Sequence, residues 1–234
     1  MKKIPDKSIN CIFADLPYGT TNCKWDSIID LKKLWKEYER IIKDDGVILL
    51  WAQSPFDKIL ACSNLELYRY EWVIEKTHAT GFLNAKKMPL KCHEQILVFY
   101  KKLPLYNPQK TTGHSPTHYA KRTVEVSNRN EIYNKMNKEI ISGGATDRYP
   151  RDVLRFKWDT QKSSLHPTQK PVECLEYFIK TYTNEGDVVL DNTMGSGSTI
   201  IASINTKRKY IGFEQNVDYF KIAKDRIDEQ LKNI

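Results

Sequence analysis

The sequence predicts an α/β protein built on an open, largely parallel sheet. Two apolar runs carry that expectation. Ile9–Ala14 ends at Asp15-Leu16-Pro17-Tyr18, and Val188–Leu190 ends at Asp191-Asn192-Thr193-Met194-Gly195-Ser196-Gly197. A strand that stops at a carboxylate and a tight turn is how open α/β sheets build ligand sites. Between and after these runs, apolar residues recur at helical spacing, so that strands and helices alternate.

Taken in order, Ile9–Ala14 reads as a buried strand. Ile28, Leu31, Leu34, Trp35, Tyr38, Ile41 and Ile42 form a helical stripe ending near Asp45-Gly46, and Val47–Trp51 is the second strand,. A helix from Pro55 to about Asn64 has proline in its first turn,. Tyr70–Lys76 and Gln95–Tyr100 are strands separated by a polar loop with Gly81, Asn84 and Pro89. From Pro104 to about Leu165 periodicity fades, and the stretch is too long for a plain connection,. Order returns at His166. Pro171 opens a helix with Val172, Leu175, Phe178, Ile179 and Tyr182 on one face, and strand Val188–Leu190 and a short helix from Ser198 follow. A strand Tyr210–Phe213 leads to Glu214, and the last helix shows a stripe of Val217, Phe220, Ala223, Ile227 and Leu231.

The 234 residues, 40% hydrophobic and 11% aromatic, suffice for one large domain with an inserted lobe,. The net charge of +8 is uneven: residues 101–162 hold thirteen Lys/Arg against six Asp/Glu. A basic lobe on an otherwise balanced chain favours a polyanionic partner, most often nucleic acid. The five cysteines (Cys11, Cys23, Cys62, Cys92, Cys174) are scattered and form no CxxC pair, which supports neither a zinc site nor a disulfide framework and fits a reducing cytosol,. His114 and His118 are too few for a metal site, and no metal is expected. No apolar stretch approaches the roughly 20 residues of a membrane span. The N-terminus lacks a signal-peptide pattern,.

The C-terminal half reads as a nucleotide-like ligand site. Strand, Asp191, Gly195-Ser196-Gly197, helix, strand and Glu214 make a βαβ unit. The glycines permit close backbone approach, and the acidic residue can accept hydrogen bonds from both ribose hydroxyls. No lysine follows Gly197 as a triphosphate-binding loop requires, and Ile200 occupies the third glycine position of a dinucleotide fingerprint,. S-adenosylmethionine remains, with a ribose but no pyrophosphate. In His166-Pro167-Thr168-Gln169-Lys170-Pro171, a loop lying over the cofactor, Lys170 or backbone donors can pair with its methionine carboxylate.

The N-terminal half reads as an acceptor site for a planar amine. The 6-amino nitrogen of adenine is a poor nucleophile because its lone pair is delocalised. Acceptors pulling on its hydrogens, the Asp15 carboxylate and the Leu16 carbonyl, free that lone pair. Pro17 restricts Leu16 to an extended conformation and fixes where its carbonyl points. Tyr18 can stack on the base, which must be flipped out of its duplex.

With these residues in place, the sequence resembles the DNA amino-methyltransferases of the permuted β group, in which the catalytic motif precedes a target-recognition region and then the cofactor motif. The order here is DLPYG at Asp15, the basic lobe, HPTQKP at His166, DNTMGSGST at Asp191 and GFE at Gly212. VILLWAQS at Val47, NAKKMPLKCHEQILVFY at Asn84 and YPRDVLRF at Tyr149 also resemble family segments.

The resemblance implies a Rossmann-like, circularly permuted methyltransferase sheet. Its catalytic half would be 1–103, its recognition insert 104–165 and its cofactor half 166–234. It implies S-adenosylmethionine as methyl donor and site-specific methylation of double-stranded DNA held by region 101–162. Asp15, Leu16, Pro17 and Tyr18 fall at the acceptor amine. Asp191, Thr193, Gly195, Gly197 and Glu214 surround the cofactor, with His166, Thr168 and Lys170 near its methionine end. It leaves room for a homodimer and for a cognate restriction nuclease.

Two departures stand out. Leu16 replaces the first proline of the usual DPPY, where only a carbonyl is needed. The chain also begins almost at the catalytic strand, so an edge strand is expected to be missing. Asp15 favours adenine, since the cytosine-N4 enzymes more often carry serine there. Cytosine-N4 methylation and a catalytically weak DNA-binding relative are the alternatives.

Overall fold

The computed structural model describes residues 1–18, 29–127, 135–157 and 169–232. The first strand, β1, spans Ile9–Asp15 and is buried almost throughout. Helix α1 spans Leu31–Ile41, and the Asp30 side chain caps it by accepting the Lys33 N–H at 3.1 Å,. It stops short of the expected Asp45-Gly46. Lys7 and Ser8 donate their N–H groups to the Arg40 and Ile41 carbonyls, and Ile42 is already extended. Strand β2 therefore runs from Ile42 to Ala52. Gly46 lies inside it, where an added Cβ would come within 2.9 Å of the Asn10 carbonyl oxygen. The glycine read as a helix terminator is instead required by the close approach of β1 and β2.

Helix α2 (Phe56–Cys62) follows, then strands β3 (Tyr68–Thr80) and β4 (Lys91–Phe99), a hairpin whose tip holds a short 3₁₀ turn at Phe82–Asn84. Both strands exceed their expected lengths because pairing continues as far as Thr80↔Lys91, past the apolar residues that mark them in the sequence. Strands β5 (Ala120–Ser127) and β6 (Lys135–Ser142) form a separate antiparallel pair. The remaining elements are β7 (Val153–Phe156), α3 (Val172–Tyr182), β8 (Val188–Asp191), α4 (Ser198–Asn205), β9 (Lys209–Gly212) and α5 (Val217–Lys232).

The main sheet has the order β7-β3-β4-β2-β1-β8-β9. β1 is parallel to β2 and β8, β9 to β8, and β7 to β3, whereas β4 is antiparallel to both its neighbours. The sheet is thus mostly parallel. β1, from the start of the chain, lies beside β8, from its last third. Their following helices cover opposite faces, so the crevice beyond their C-terminal ends is a topological switch point.

Period-two alternation along the strands divides the core. Ile12, Ala14, Ile48 and Leu50 face α1 and α2 through Leu34, Trp35, Tyr38, Phe56 and Leu60. Cys11, Phe13, Val47, Leu49 and Trp51 face α3 through Leu175, Phe178 and Ile179. The α5 stripe is only partly used: Ala223 is buried against the α4 side, whereas Val217, Phe220 and Leu231 are exposed.

Residues Pro108–Pro150 form a second compact unit, and Met1–Asn107 with Arg151–Ile234 form the first. The second unit contains the β5–β6 pair and a bridge between Thr111 and Arg148. Within it Lys110 pairs with Asp147 at 2.8 Å and lies over the Tyr149 ring. Of the expected insert 104–165, Val153–Phe156 belongs to the main sheet as its edge strand β7.

Candidate active site

A cleft partly open to solvent lies at the C-terminal ends of β1 and β8. It is lined by Asp15 from one half of the chain and by Asp191, Thr193, Gly195 and Ser196 from the other, with Trp51 and Lys170 between. The two stretches singled out in the sequence therefore share one cavity.

Asp15 ends β1 and lies opposite Trp51 of β2. Tyr18 donates its hydroxyl hydrogen to Asp15 Oδ1 at 2.5 Å, and its ring packs on Phe56 at 5.2 Å between centroids. The Leu16 side chain is buried in the core between β1 and α1, which anchors the turn and suits an apolar residue at that position. Lys170, expected near a cofactor's methionine end, sits at this carboxylate. Its Nζ is 3.4 Å from Asp15 Oδ2, 2.6 Å from Glu94 Oε2 and 4.6 Å from the Trp51 ring centre. Lys76 closes the network on the other oxygen of Glu94 at 2.5 Å.

Burial pushes the Asp15 carboxyl above its ordinary value despite the opposing pull of Lys170 and Tyr18,. Glu94 goes the other way: burial raises it, but Lys170 and Lys76 outweigh that and hold it low. Lys170 is also buried, which alone would lower it, yet its two carboxylate partners hold it above the ordinary lysine value.

The second wall is the turn after β8. The Asp191 carboxylate accepts the Thr193 N–H at 3.0 Å, and burial pushes it up to about 7. Gly195 and Gly197 adopt positive φ values of 51° and 82°, the left-handed region that glycine enters without penalty,. Glu214, just beyond β9, holds the turn: its Oε2 accepts the Gly195 N–H at 3.0 Å and its Oε1 the Asn216 N–H at 2.8 Å. Gly212 lets the loop close, since a Cβ there would lie 2.3 Å from Met194 Sδ. Arg226 of α5 donates to the Ser196 carbonyl at 2.8 Å.

His166 and Thr168 lie outside the described residues, as does Cys23. Among the described residues no cluster could hold a metal ion, and no helix is long and apolar enough to cross a membrane. The buried Gln169 Oε1 and Thr193 Oγ1, both on cleft-lining residues, have no hydrogen-bond partner among the described residues. Buried polar atoms without protein partners suit a polar ligand in that cleft. Sequence reasoning missed Glu94, Lys76 and Gln169. Glu94 stands two residues before the apolar run Ile96–Phe99, where nothing local indicates that two lysines converge on it.

Comparison with known proteins agrees with this architecture. The chain is 28% identical over 97% of its length to the DNA adenine methyltransferase YhdJ of Escherichia coli K12, covering 79% of that protein. It is 26% identical over 98% of its length to the type II methyltransferase M.HpaI of Haemophilus parainfluenzae, covering 71% of it. Among solved structures it superposes on the M1.HpyAVI–SAM complex with a TM-score of 0.61 at 23% identity, covering 93% of this chain and 88% of that one. The cytosine-N4-specific PvuII DNA methyltransferase gives 0.65 at 14% identity, covering 99% and 87%. The family model for DNA methylases matches residues 9–225, which hold both walls of the cleft, and the chain belongs to that family.

Proposed function

We propose that this DNA methylase transfers a methyl group from S-adenosylmethionine to the exocyclic amine of a flipped-out adenine at a specific DNA site. The observation that carries this reading is the cleft shared by Asp15 and the Thr193–Ser196 turn. The similarity to an adenine methyltransferase over nearly the whole chain supports the choice of base.

S-adenosylmethionine, when bound, supplies an electrophilic methyl on a sulfonium sulfur. Asp191, Thr193, Gly195, Gly197 and Glu214 would hold it, with His166 and Thr168 completing the site. Thr193 Oγ1 and Gln169 Oε1, without a hydrogen-bond partner among the described residues, fit a ligand rich in hydroxyl and amine groups. Each Glu214 oxygen already accepts one backbone N–H and keeps lone-pair capacity for a ribose hydroxyl,.

Asp15 and the Leu16 carbonyl accept the two amine hydrogens and turn the nitrogen lone pair into the cleft. Pro17 fixes that carbonyl. Lys170 serves Asp15 as counterion and opposes the rise that burial gives its carboxyl,. Asp15 need not be a strong base, because the methylated nitrogen sheds its proton readily. The ring of Tyr18, whose hydroxyl steadies Asp15, borders the base.

Residues 108–150, the compact unit within the expected insert 104–165, serve as the recognition insert, and the basic stretch 101–162 follows the duplex phosphates. The free thiols Cys11, Cys62, Cys92 and Cys174 fit a reducing cytoplasm,.

The test is nucleoside analysis of DNA incubated with the purified chain and labelled S-adenosylmethionine. N6-methyladenine is expected. N4-methylcytosine would transfer the reading to the other base, and salt-dependent DNA binding without label would make the chain a binding relative.

A further inference from the structure

The β3–β4 hairpin continues well past the active-site row. Asp15 lies opposite Trp51, Trp51 opposite Ile96, and Ile96 opposite Trp72, so these residues mark one level of the sheet. From Ile96 back to Lys91 the strand advances about 16 Å beyond that level, on the side where the cleft opens. The tip is anchored at its root, where Lys91 Nζ donates to the Ser54 carbonyl at 3.3 Å and Thr80 pairs with Lys91.

What the tip carries is unusual for a surface turn. Every residue from His78 to His93 is exposed. Leu83 is 99% and Phe82 81% exposed, with Met88 at 53% and Leu90 at 39%. Lys86, Lys87 and Lys91 lie among them, and residues 77–93 contain no Asp or Glu. Large apolar side chains held in water carry a standing cost, and a cluster of them marks a contact surface. The surrounding charge selects the partner. A second copy of this positively charged chain would be repelled, whereas a polyanion with an apolar stacked interior satisfies both features. Proteins that open duplexes wedge Phe, Leu or Met between bases while Lys or Arg hold the phosphates.

We propose that this hairpin tip enters the duplex beside the target base. Phe82 and Leu83 fill the space that the flipped base leaves in the stack, and Lys86 and Lys87 neutralise the flanking phosphates. The inference rests on the base-flipping reading above and adds the element that opens the duplex. Base flipping costs unstacking and unpairing, which a wedge offsets only while the target base is paired.

The full chain with Phe82→Ala and Leu83→Ala tests it, because both side chains are exposed and their removal leaves the core intact. Single-turnover methyl transfer is measured on a duplex carrying the mapped target site. It is repeated on the same duplex with an abasic nucleotide opposite the target. The double variant is expected to slow at least about tenfold on the paired duplex and to stay within about twofold of the parent on the abasic one. Lys86→Ala with Lys87→Ala is expected to lower the slope of log affinity against log salt by about 0.9 for each phosphate that is no longer neutralised.

Equal rates for parent and double variant on the paired duplex would overturn the proposal. So would equal losses on both duplexes, or a shift from dimer to monomer in sedimentation with the ratio of the two rates unchanged. A parent chain that methylates neither duplex would instead sink the methyl-transfer reading itself, and this inference with it.

Discussion

The Lys170 ammonium lies 3.4 Å from the Asp15 carboxylate, joining residues from opposite halves of the sequence at one buried site. Opposite charge beside a buried carboxylate favours its ionised form. Lys170→Met is therefore expected to raise the Asp15 pKa further, and the acidic limb of the pH–rate profile should move to higher pH. Glu94→Gln removes a like charge from Asp15 and should move the same limb to lower pH. Measuring both profiles separates this electrostatic role from loss of folding, which would lower activity at every pH.

Glu214 ties the glycine turn to the loop after β9: its Oε2 accepts the Gly195 N–H and its Oε1 the Asn216 N–H. Hydrogen bonds to charged groups contribute about 1.5–3 kcal/mol each. Glu214→Ala should weaken S-adenosylmethionine binding by roughly tenfold to a hundredfold in calorimetric titration. Glu214→Gln keeps one acceptor oxygen and should lose less. Equal affinities for parent and Ala variant would remove Glu214 from the binding site.

A methyl group at Gly212 would stand 2.3 Å from Met194 Sδ and 3.1 Å from Ile200 Cδ1, so the Met194 side chain would have to move. Overpacking of this kind costs about 1–3 kcal/mol. Gly212→Ala should lower Tm by roughly 3–10 °C and weaken cofactor binding, because Met194 belongs to the displaced turn. Calorimetry of the two proteins checks the first effect and ligand titration the second.

Burial pushes the Asp191 carboxyl up to about 7 from an ordinary 3.8. A carboxyl raised on folding stabilises most below its unfolded pKa, and that contribution is lost as pH rises through the folded value. About 4 kcal/mol should disappear between roughly pH 4 and pH 7. Asp191→Asn keeps an acceptor for the Thr193 N–H and carries no charge. Its denaturant midpoint should fall less steeply than the parent's over that window. Parallel curves would mean that Asp191 is not the titrating group.

The sheet was legible in the sequence wherever a strand is buried on both faces. Cys11–Ala14, Val47–Trp51 and Val188–Leu190 are continuous apolar runs because helices cover both sides, and each forms the strand expected of it,. The α1–β2 junction was not legible. Ile41 and Ile42 continue the helical stripe, and only pairing with a distant strand turns Ile42 into the start of β2. Most of the α5 stripe stays in water, a fact that periodicity alone does not carry. At the site, Asp15, Asp191 and the glycines announce themselves because strand-end carboxylates and turns are local features. Glu94 and Lys76 do not, since their meaning arises only when β3, β4 and the segment at Lys170 converge.

In the proposed reaction Asp15 acts on the acceptor amine while the β8 turn independently holds the methyl donor. Asp15→Asn tests it through two measurements on one preparation: calorimetric titration with S-adenosylmethionine and single-turnover methyl transfer to DNA. Cofactor affinity is expected within about threefold of the parent and transfer slower by about a hundredfold to a thousandfold, the scale of losing one preorganised hydrogen-bonding group at a reacting atom. Near-normal transfer, or cofactor binding lost in step with transfer, would contradict it.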